Sequence, residues 1–307
     1  MRDFWQKVDK TLRYHGKQAA IGLRGIWWDI RRLKVERPIF VIGCSRAGTT
    51  LVYKTLSESR QIGTLQRETH DFWAEMHPLQ ERDWGTHALS ANDASEYDRG
   101  HVARYYYSWT GKTRFVDKNN QNGLCVPYLR ALFPDAYFIY VKRNPGDNLN
   151  SLIEGWGRPD EFATWSSSLP ARVAIDDGRY KSWCFFLADG WQQFVNARIE
   201  DVCAFQYNAI NQSILDSKPA IADQRWHEVF YEDLVRDPVG QFRSMFTACG
   251  LVFDERLERH CDNVLNFPYN AFSAIRVDKW KDGRNKDRIN RVFPKLENVG
   301  KQMGYNY

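Results

Sequence analysis

Residues 38–50 decide the fold, and they read PIFVIGCSRAGTT. Residues 39–42 form a short continuous apolar run, which is typical of a strand buried on both faces. Gly43 and Gly48 bracket the next four residues, and an apolar-periodic stretch follows at residues 51–56. This order predicts a strand, a tight loop and a helix, in which backbone N–H groups and the helix N-terminus bind an anion.

Other apolar runs predict the remaining strands of a sheet. They lie at residues 115–116, 136–141 and 229–231, with helical patterns such as those at residues 124–133 and 180–210 between them. Strands separated by helices imply crossover connections, so we predict an α/β fold with a central, mostly parallel sheet flanked by helices. Residues 38–307 are expected to form this single domain, preceded by a separate leader at residues 1–37.

The leader holds most of the charge of the chain. It contains ten basic and four acidic residues, and its net charge of +6 exceeds the +5 of the whole sequence. Residues 38–307 therefore carry a net charge of −1, so the body offers no broad cationic face for nucleic acid. We expect no nucleic-acid partner.

Apolar residues recur in the leader at three- and four-residue steps, which predicts an amphipathic helix interrupted around Gly16 and Gly22. They are Phe4, Val8, Leu12, Ala19, Leu23, Ile26, Ile30 and Leu33, flanked by Trp27 and Trp28. Two interpretations stay open. Residues 1–37 make peripheral contact with an anionic membrane, or the helix packs on the body with its basic side in water.

Composition bounds the class of protein. The chain has 307 residues, of which 43% are hydrophobic, as in globular domains. No apolar run approaches the roughly 18 residues of a spanning helix, and no secretory signal is recognisable. The six cysteines are scattered without the spacing of metal ligands. We expect a reduced, cytoplasmic protein without a metal, on the inner face of the membrane if the leader binds lipid.

The loop at residues 43–50 lacks the lysine that P-loop kinases place after the second glycine. Thr49 takes that position, and the cation of the loop is Arg46. Phosphoryl transfer from ATP uses that lysine and a metal-holding acid, so binding of an anion without a metal is favoured. A kinase-like, ATP-dependent phosphotransferase or another nucleotide-binding protein stays open as the alternative.

A second anion site is predicted about a hundred residues later. Arg143 follows an apolar run, and Asn144 and Pro145 come next as a helix N-cap and a first helical residue. Ser151 lies seven residues beyond the cap, on the same helical face. An arginine beside a helix N-terminus, with a nearby hydroxyl, suits a terminal phosphate monoester.

Together the two segments resemble the PAPS-dependent sulfotransferases, PAPS being 3′-phosphoadenosine 5′-phosphosulfate. Residues 43–50, GCSRAGTT, are similar to the 5′-phosphosulfate loop of that family, with Ala47 where serine is usual. Residues 133–151, FPDAYFIYVKRNPGDNLNS, are similar to its 3′-phosphate motif, with the same eight-residue step from arginine to serine. The resemblance implies a P-loop-like sulfotransferase fold and PAPS as co-substrate, without a metal.

Two further segments resemble the family. Residues 231–234, YEDL, are similar to a strand end whose tyrosine lies along the adenine, and residues 278–281, DKWK, are similar to a segment that closes over the nucleotide. The resemblance implies that PAPS is bound by Ser45, Arg46, Ala47, Gly48, Thr49, Thr50, Arg143, Ser151, Tyr231 and Lys279. The implied reaction is in-line transfer of the sulfuryl group to a hydroxyl, releasing adenosine 3′,5′-bisphosphate.

The catalytic residues are also implied by the resemblance. The carbohydrate and protein branch uses a glutamate after the loop helix as base, and residues 66–70, QRETH, are similar to that segment, so Glu68 is the predicted base. When the acceptor closes the site, we expect desolvation to raise the pKa of Glu68 toward neutrality. His70 is the rival, because sulfotransferases of small phenols use a histidine. Lys118 and Arg46 are predicted to stabilise the sulfuryl group and the bridging oxygen.

Aromatic residues make up 15% of the chain, which suggests ring platforms in a binding site. Candidates lie at residues 101–109, 155–158 and 164–170, where arginine or serine accompanies the rings. Rings with polar neighbours suit a saccharide or a small polar metabolite, whose apolar faces stack and whose hydroxyls form hydrogen bonds. We therefore expect a carbohydrate or glycolipid acceptor, with core packing of the same rings as the alternative.

Overall fold

The computed structural model describes residues 2–266, 269 and 275–306, and the side chains of residues 2–13 lie outside this description. Its strands are β1 Ile39–Ile42, β2 Val116–Lys118, β3 Tyr137–Lys142 and β4 Trp226–Phe230. Its α-helices are α1 Arg2–Arg31, α2 Thr49–Leu56, α3 His70–Met76, α4 Glu96–Thr110, α5 Val126–Leu132, α6 Pro145–Trp156, α7 Pro159–Phe162, α8 Ile175–Gly178, α9 Ile199–Ser217, α10 Tyr231–Arg236, α11 Pro238–Ala248, α12 Glu255–Asn263 and α13 Lys286–Gln302.

The four strands form one parallel sheet in the order β2-β1-β3-β4. Apolar residues of the helices cover both faces, which confirms the predicted α/β architecture. Because the strands are parallel, their carboxyl ends share one edge of the sheet. That edge brings together Gly43 after β1, Lys118 at the end of β2, Arg143 after β3 and Tyr231 after β4.

Two predicted elements end elsewhere than expected. Tyr231 begins α10 instead of ending a strand, and the helical pattern at residues 180–210 becomes a regular helix only from Ile199. Residues 179–198 are mostly irregular, with positive φ angles at Phe185 (70°) and Gly190 (81°). The apolar side chains of this stretch are buried in the core without a helix, and burial alone does not determine backbone conformation.

Helix α1 is continuous through Gly16 and Gly22, so the predicted interruption is wrong. A glycine inside a helix costs only about 1 kcal/mol relative to alanine, which a 30-residue helix tolerates. The helix packs on α4, where Trp28 lies 5.5 Å from the ring of Tyr107. Across the described residues, no helix combines the length and the apolar character needed to span a membrane.

Candidate active site

The loop after β1 has a backbone conformation that restricts which residues can occupy it. Three of its residues have positive φ, namely Gly43 (151°), Arg46 (68°) and Gly48 (103°). A Cβ atom added to Gly48 would lie 2.4 Å from Cδ2 of Tyr231. Glycine is therefore required at position 48 by both the left-handed conformation and the close approach of the tyrosine ring.

Helix α6 and the residue before its N-cap hold the loop in place. The Asn148 amide donates to the carbonyl oxygen of Ser45 at 2.8 Å, and Nη1 of Arg143 donates to the carbonyl oxygen of Arg46 at 2.7 Å. The N-cap is formed as predicted, because the side chain of Asn144 accepts from backbone N–H groups in the first turn of α6. The two sequence segments, about a hundred residues apart, thus form one site.

The guanidinium groups of Arg143, which is buried, and Arg46, which is half-buried, form the centre of this site. Arg143 lies over the ring of Tyr231, with Cζ 4.4 Å from the centroid, and Nε of Arg46 donates to Oγ of Ser151 at 3.4 Å. Burial, with the charge of Arg143 nearby, lowers the pKa of Arg46 to about 10. Arg46 therefore stays charged at neutral pH, and two adjacent, partly desolvated cations favour an anionic ligand.

Buried polar atoms at this site test whether an anionic nucleotide fits. Oγ of Ser45 and Nε of Arg143 are buried and have no hydrogen-bond partner among the described residues. Buried donors in folded proteins nearly always have one. Phosphate or sulfate oxygens would supply it, so these residues fit a nucleotide that carries more than one such group.

Lys279 reaches the site from a 3-10 turn at Lys279–Asp282. The carboxylate of Asp147, in the first turn of α6, accepts from the backbone N–H groups of Asp278 at 2.6 Å and Trp280 at 3.1 Å. Nζ of Lys279 lies 4.0 Å from the carboxylate of Glu154, also on α6. Desolvation lowers the pKa of Lys279, and Glu154 opposes this shift.

Glu68 lies at the centre of a second cluster. Nζ of Lys118 is 2.5 Å from its Oε1, Nε2 of His70 is 2.8 Å from its Oε2, and Oγ1 of Thr50 donates to Oε1 at 3.4 Å. Thr50 belongs to the helix of the anion loop, and Lys118 ends β2. The predicted base and the predicted catalytic lysine are therefore neighbours, and the loop adjoins them.

In the protein without substrate, the pKa of Glu68 lies below its usual range, and the rise expected on acceptor binding stays a prediction. Burial by itself raises the pKa, but the Lys118 ammonium and the contact with His70 hold it well below its usual range. Nδ1 of His70 faces Oδ1 of Asn119 at 2.7 Å, so both ring nitrogens meet acceptor oxygens. Both ring nitrogens of His70 are therefore engaged, and the ring is held between Glu68 and Asn119.

These contacts make stability depend on pH. Because folding lowers the pKa of Glu68, its contribution is fully present above the ordinary value of 4.5 and is lost as pH falls through the folded value. We expect Glu68→Gln to be less stable than wild type at pH 7, with a smaller difference near pH 3. Denaturant unfolding of both proteins measures this. A difference that does not change with pH would contradict the assignment.

One cavity of about 650 Å³ joins the two clusters. Every residue predicted to bind PAPS lines it except Ala47, which is buried and donates its N–H to the carbonyl oxygen of Cys44 at 3.0 Å. The methyl group of Ala47 packs into the core, and the assignment of this residue to the PAPS site stays a prediction. Glu68, Lys118 and Arg46 all line the cavity.

The predicted aromatic platforms are only partly in the cavity. Trp165 lines it, but residues 105–109 do not. Tyr105 stacks on Phe72 at 4.0 Å, and Trp156 is a core residue whose Nε1 donates to Gln206 at 3.1 Å. The rings of α4 face α1 and α3 instead, because helical periodicity directs them toward those neighbours.

Sequence reasoning missed three residues of the site. Asn119 holds the ring of His70, the ring centroid of Phe162 lies 5.3 Å from the guanidinium carbon of Arg46, and His87 lines the cavity. Of these three residues, only Asn119 could have been found from the sequence, because it directly follows the predicted catalytic residue Lys118. Phe162 lies in a stretch that matches no motif, and its role depends on how the chain folds back over the loop.

Comparisons agree with this geometry. The model of the sulfotransferase family matches residues 38–169 and 170–255. No curated protein matches the chain. Similar solved structures include the sulfotransferase domain of the Synechococcus PCC 7002 olefin synthase, with 17% identity, 90% of this chain and 97% of that chain covered, and a TM-score of 0.51. Sulfotransferase STF9 from Mycobacterium avium has 14% identity, coverages of 92% and 84%, and a TM-score of 0.51.

Such identities are evidence for the fold alone, and they confirm the predicted sulfotransferase architecture. The family model covers most of the body, including the loop at residues 43–50, the helix start after Arg143 and the cluster around Glu68. From the match to the family model, the chain belongs to the sulfotransferase family and is a sulfotransferase enzyme.

Proposed function

We propose that the protein transfers the sulfuryl group of PAPS to a hydroxyl of a carbohydrate or glycolipid. The observation that carries this proposal is the single cavity, which joins the Arg46 and Arg143 anion site to Glu68 and Lys118. The acceptor oxygen attacks sulfur, and the bond from sulfur to the nucleotide phosphate breaks. The proton of the acceptor hydroxyl passes to Glu68, and adenosine 3′,5′-bisphosphate (PAP) leaves.

The nucleotide is divided between the two halves of the anion site. The 5′-phosphosulfate lies on the loop, near Arg46 and Thr49, and the 3′-phosphate lies between Arg143 and Ser151. This assignment is supported by the positive φ angles that shape the loop and by the unpartnered Nε of Arg143 among the described residues. Two separate anion contacts fit a bisphosphorylated nucleoside better than a singly phosphorylated one.

Lys118 makes the low pKa of Glu68 compatible with its role as base. In the absence of substrate, the ammonium stabilises the carboxylate and weakens it as a proton acceptor. When sulfuryl oxygens enter, Lys118 shares its charge with them as charge builds on the leaving oxygen. The pKa of Glu68 then rises in the step that needs a base.

The acceptor side of the cavity combines aromatic walls with polar groups. Trp84 and Trp165 line it. Nδ1 of His87 accepts from the backbone N–H of Leu187 at 2.8 Å, and burial lowers the pKa of His87 to about 3, so the ring is neutral with its proton on Nε2. Rings beside a neutral hydrogen-bond donor suit a saccharide, which supports a sugar acceptor.

Two measurements test the proposed reaction. We expect PAP to raise the melting temperature more than ATP with Mg²⁺ does, since the latter is the ligand of the kinase-like alternative. We also expect radiolabelled sulfate from PAPS to appear on members of a saccharide and glycolipid panel, and less on simple phenols. Stabilisation by ATP with Mg²⁺ but not by PAP would favour the kinase-like alternative. Transfer to phenols but not to saccharides would contradict the proposed acceptor class.

Arg143→Ala is expected to weaken binding of PAP by about 10–150-fold, the equivalent of roughly 1.5–3 kcal/mol for a charge-assisted hydrogen bond. Binding of adenosine 5′-monophosphate should change much less, because it lacks the 3′-phosphate. Isothermal titration with both ligands measures the difference. Because Arg143 also holds the carbonyl of Arg46, an equal loss for both ligands would indicate damage to the loop. Equal affinity of wild type for both would contradict the 3′-phosphate assignment.

A further inference from the structure

Helix α1 presents an apolar stripe away from the body. Leu23, Ile26 and Ile30 recur at three- and four-residue steps, and their side chains are 68%, 59% and 69% exposed. Trp27, beside them, is also exposed. The predicted positions Phe4, Val8 and Leu12 lie outside the described side chains, and Leu33 lies past the end of the helix, partly buried.

The opposite face of α1 is the one that packs on the body. A Cβ atom added to Gly25 would lie 3.0 Å from Arg104, so the absence of a side chain allows close approach to α4. Asp29 accepts two hydrogen bonds from Arg104, at 2.8 and 3.0 Å, and Trp28 is buried. The helix therefore contacts the body with exposed basic residues, as the packing interpretation expected, but its apolar stripe is left in water as well.

Leaving three large aliphatic side chains in water is unfavourable, and each gains free energy when an apolar phase covers it. Basic residues accompany the stripe. Arg31 is exposed with its guanidinium 4.9 Å from the ring centroid of Trp27, and Arg32 and Lys34 are exposed just beyond it. An apolar stripe bordered by cations and a tryptophan matches the headgroup region of an anionic bilayer, where indole rings and basic side chains are favoured.

We propose that the outward face of α1 binds the surface of an anionic lipid bilayer, with the helix parallel to the membrane. The charge of the leader decides between this occupant and a second copy of the chain. Two leaders packed together would oppose net charges of +6, whereas anionic lipid neutralises them. The contacts with α4 would then fix the body against the bilayer, because that face of the helix is already occupied.

Co-sedimentation of the full chain with vesicles tests this surface. With phosphatidylcholine vesicles that contain about 30% phosphatidylglycerol, we expect wild type to bind and L23S/I26S/I30S to bind at least about tenfold more weakly. The matched control is Val252→Ser, since Val252 is an aliphatic residue 62% exposed outside α1, and it should bind like wild type. Circular dichroism and the PAP-induced thermal shift should be unchanged, because the three residues make no part of the site.

Four results would overturn the proposal. The first is wild type that stays in the supernatant with anionic vesicles. The second is equal binding to pure phosphatidylcholine, which would show that anionic lipid does not contribute to binding. The third is a concentration-dependent dimer in sedimentation equilibrium, abolished by the triple substitution and without vesicle binding, which would make a second copy the occupant. Vesicle binding by wild type that the triple substitution leaves intact would likewise exclude this face.

Discussion

Glu68→Gln is expected to bind PAP as wild type does and to lose on the order of 10²–10⁴-fold in turnover. Glutamine keeps the size of the side chain and an oxygen for Lys118, but it cannot take the proton of the acceptor hydroxyl. The carboxylate sits at the junction of the anion loop and the acceptor side, 3.4 Å from Oγ1 of Thr50. Steady-state sulfuryl transfer and isothermal titration with PAP separate the two properties.

The variant His70→Asn identifies the base independently. His70 contacts Glu68 and Asn119 through its two ring nitrogens, so we interpret it as a residue that positions the carboxylate of Glu68. His70→Asn should therefore reduce turnover less than Glu68→Gln and should shift the acid limb of the pH–rate profile. If Glu68→Gln turns over near the wild-type rate and His70→Asn is inactive, the base is His70, and the acceptor belongs nearer the small phenols.

Lys118→Met is expected to lower turnover on the order of 10²–10³-fold, the usual effect of removing one group that stabilises charge in a transition state. Methionine keeps most of the length and apolar volume of the side chain and removes the ammonium. Because that ammonium holds the pKa of Glu68 low, the variant should also move the acid limb of the pH–rate profile to higher pH. A stability effect alone would not produce that shift.

The chain contains a closely matched control in Lys142→Met. Lys118 and Lys142 each end a strand, each side chain is 6% exposed, and each pairs with a glutamate that is 26% exposed. Only Lys118 lines the cavity. We expect both substitutions to destabilise the protein by about 1–3 kcal/mol and only Lys118→Met to lose the stated turnover. Similar losses of turnover in both variants, measured well below their melting temperatures, would contradict a catalytic role for Lys118.

The sequence by itself determined the parts of the protein that depend on local order. A buried apolar strand followed by closely spaced glycines specifies the loop at residues 43–50, because the backbone there needs positive φ. Asn144 and Pro145 specify the start of α6, since the cap uses only neighbouring backbone groups. The step from Arg143 to Ser151 follows from helical periodicity, and a parallel sheet then brings both segments to one edge.

Only the tertiary structure decided the properties that depend on distant neighbours. The pKa of Glu68 is low because Lys118 lies beside it from another strand, whereas sequence alone suggested only desolvation. Helical periodicity in α1 predicted an apolar stripe but not what covers it, and contacts such as Asp29 with Arg104 selected the opposite face for packing. Periodicity fixes how side chains are arranged around one helix, but burial and charge depend on which segments fold against it.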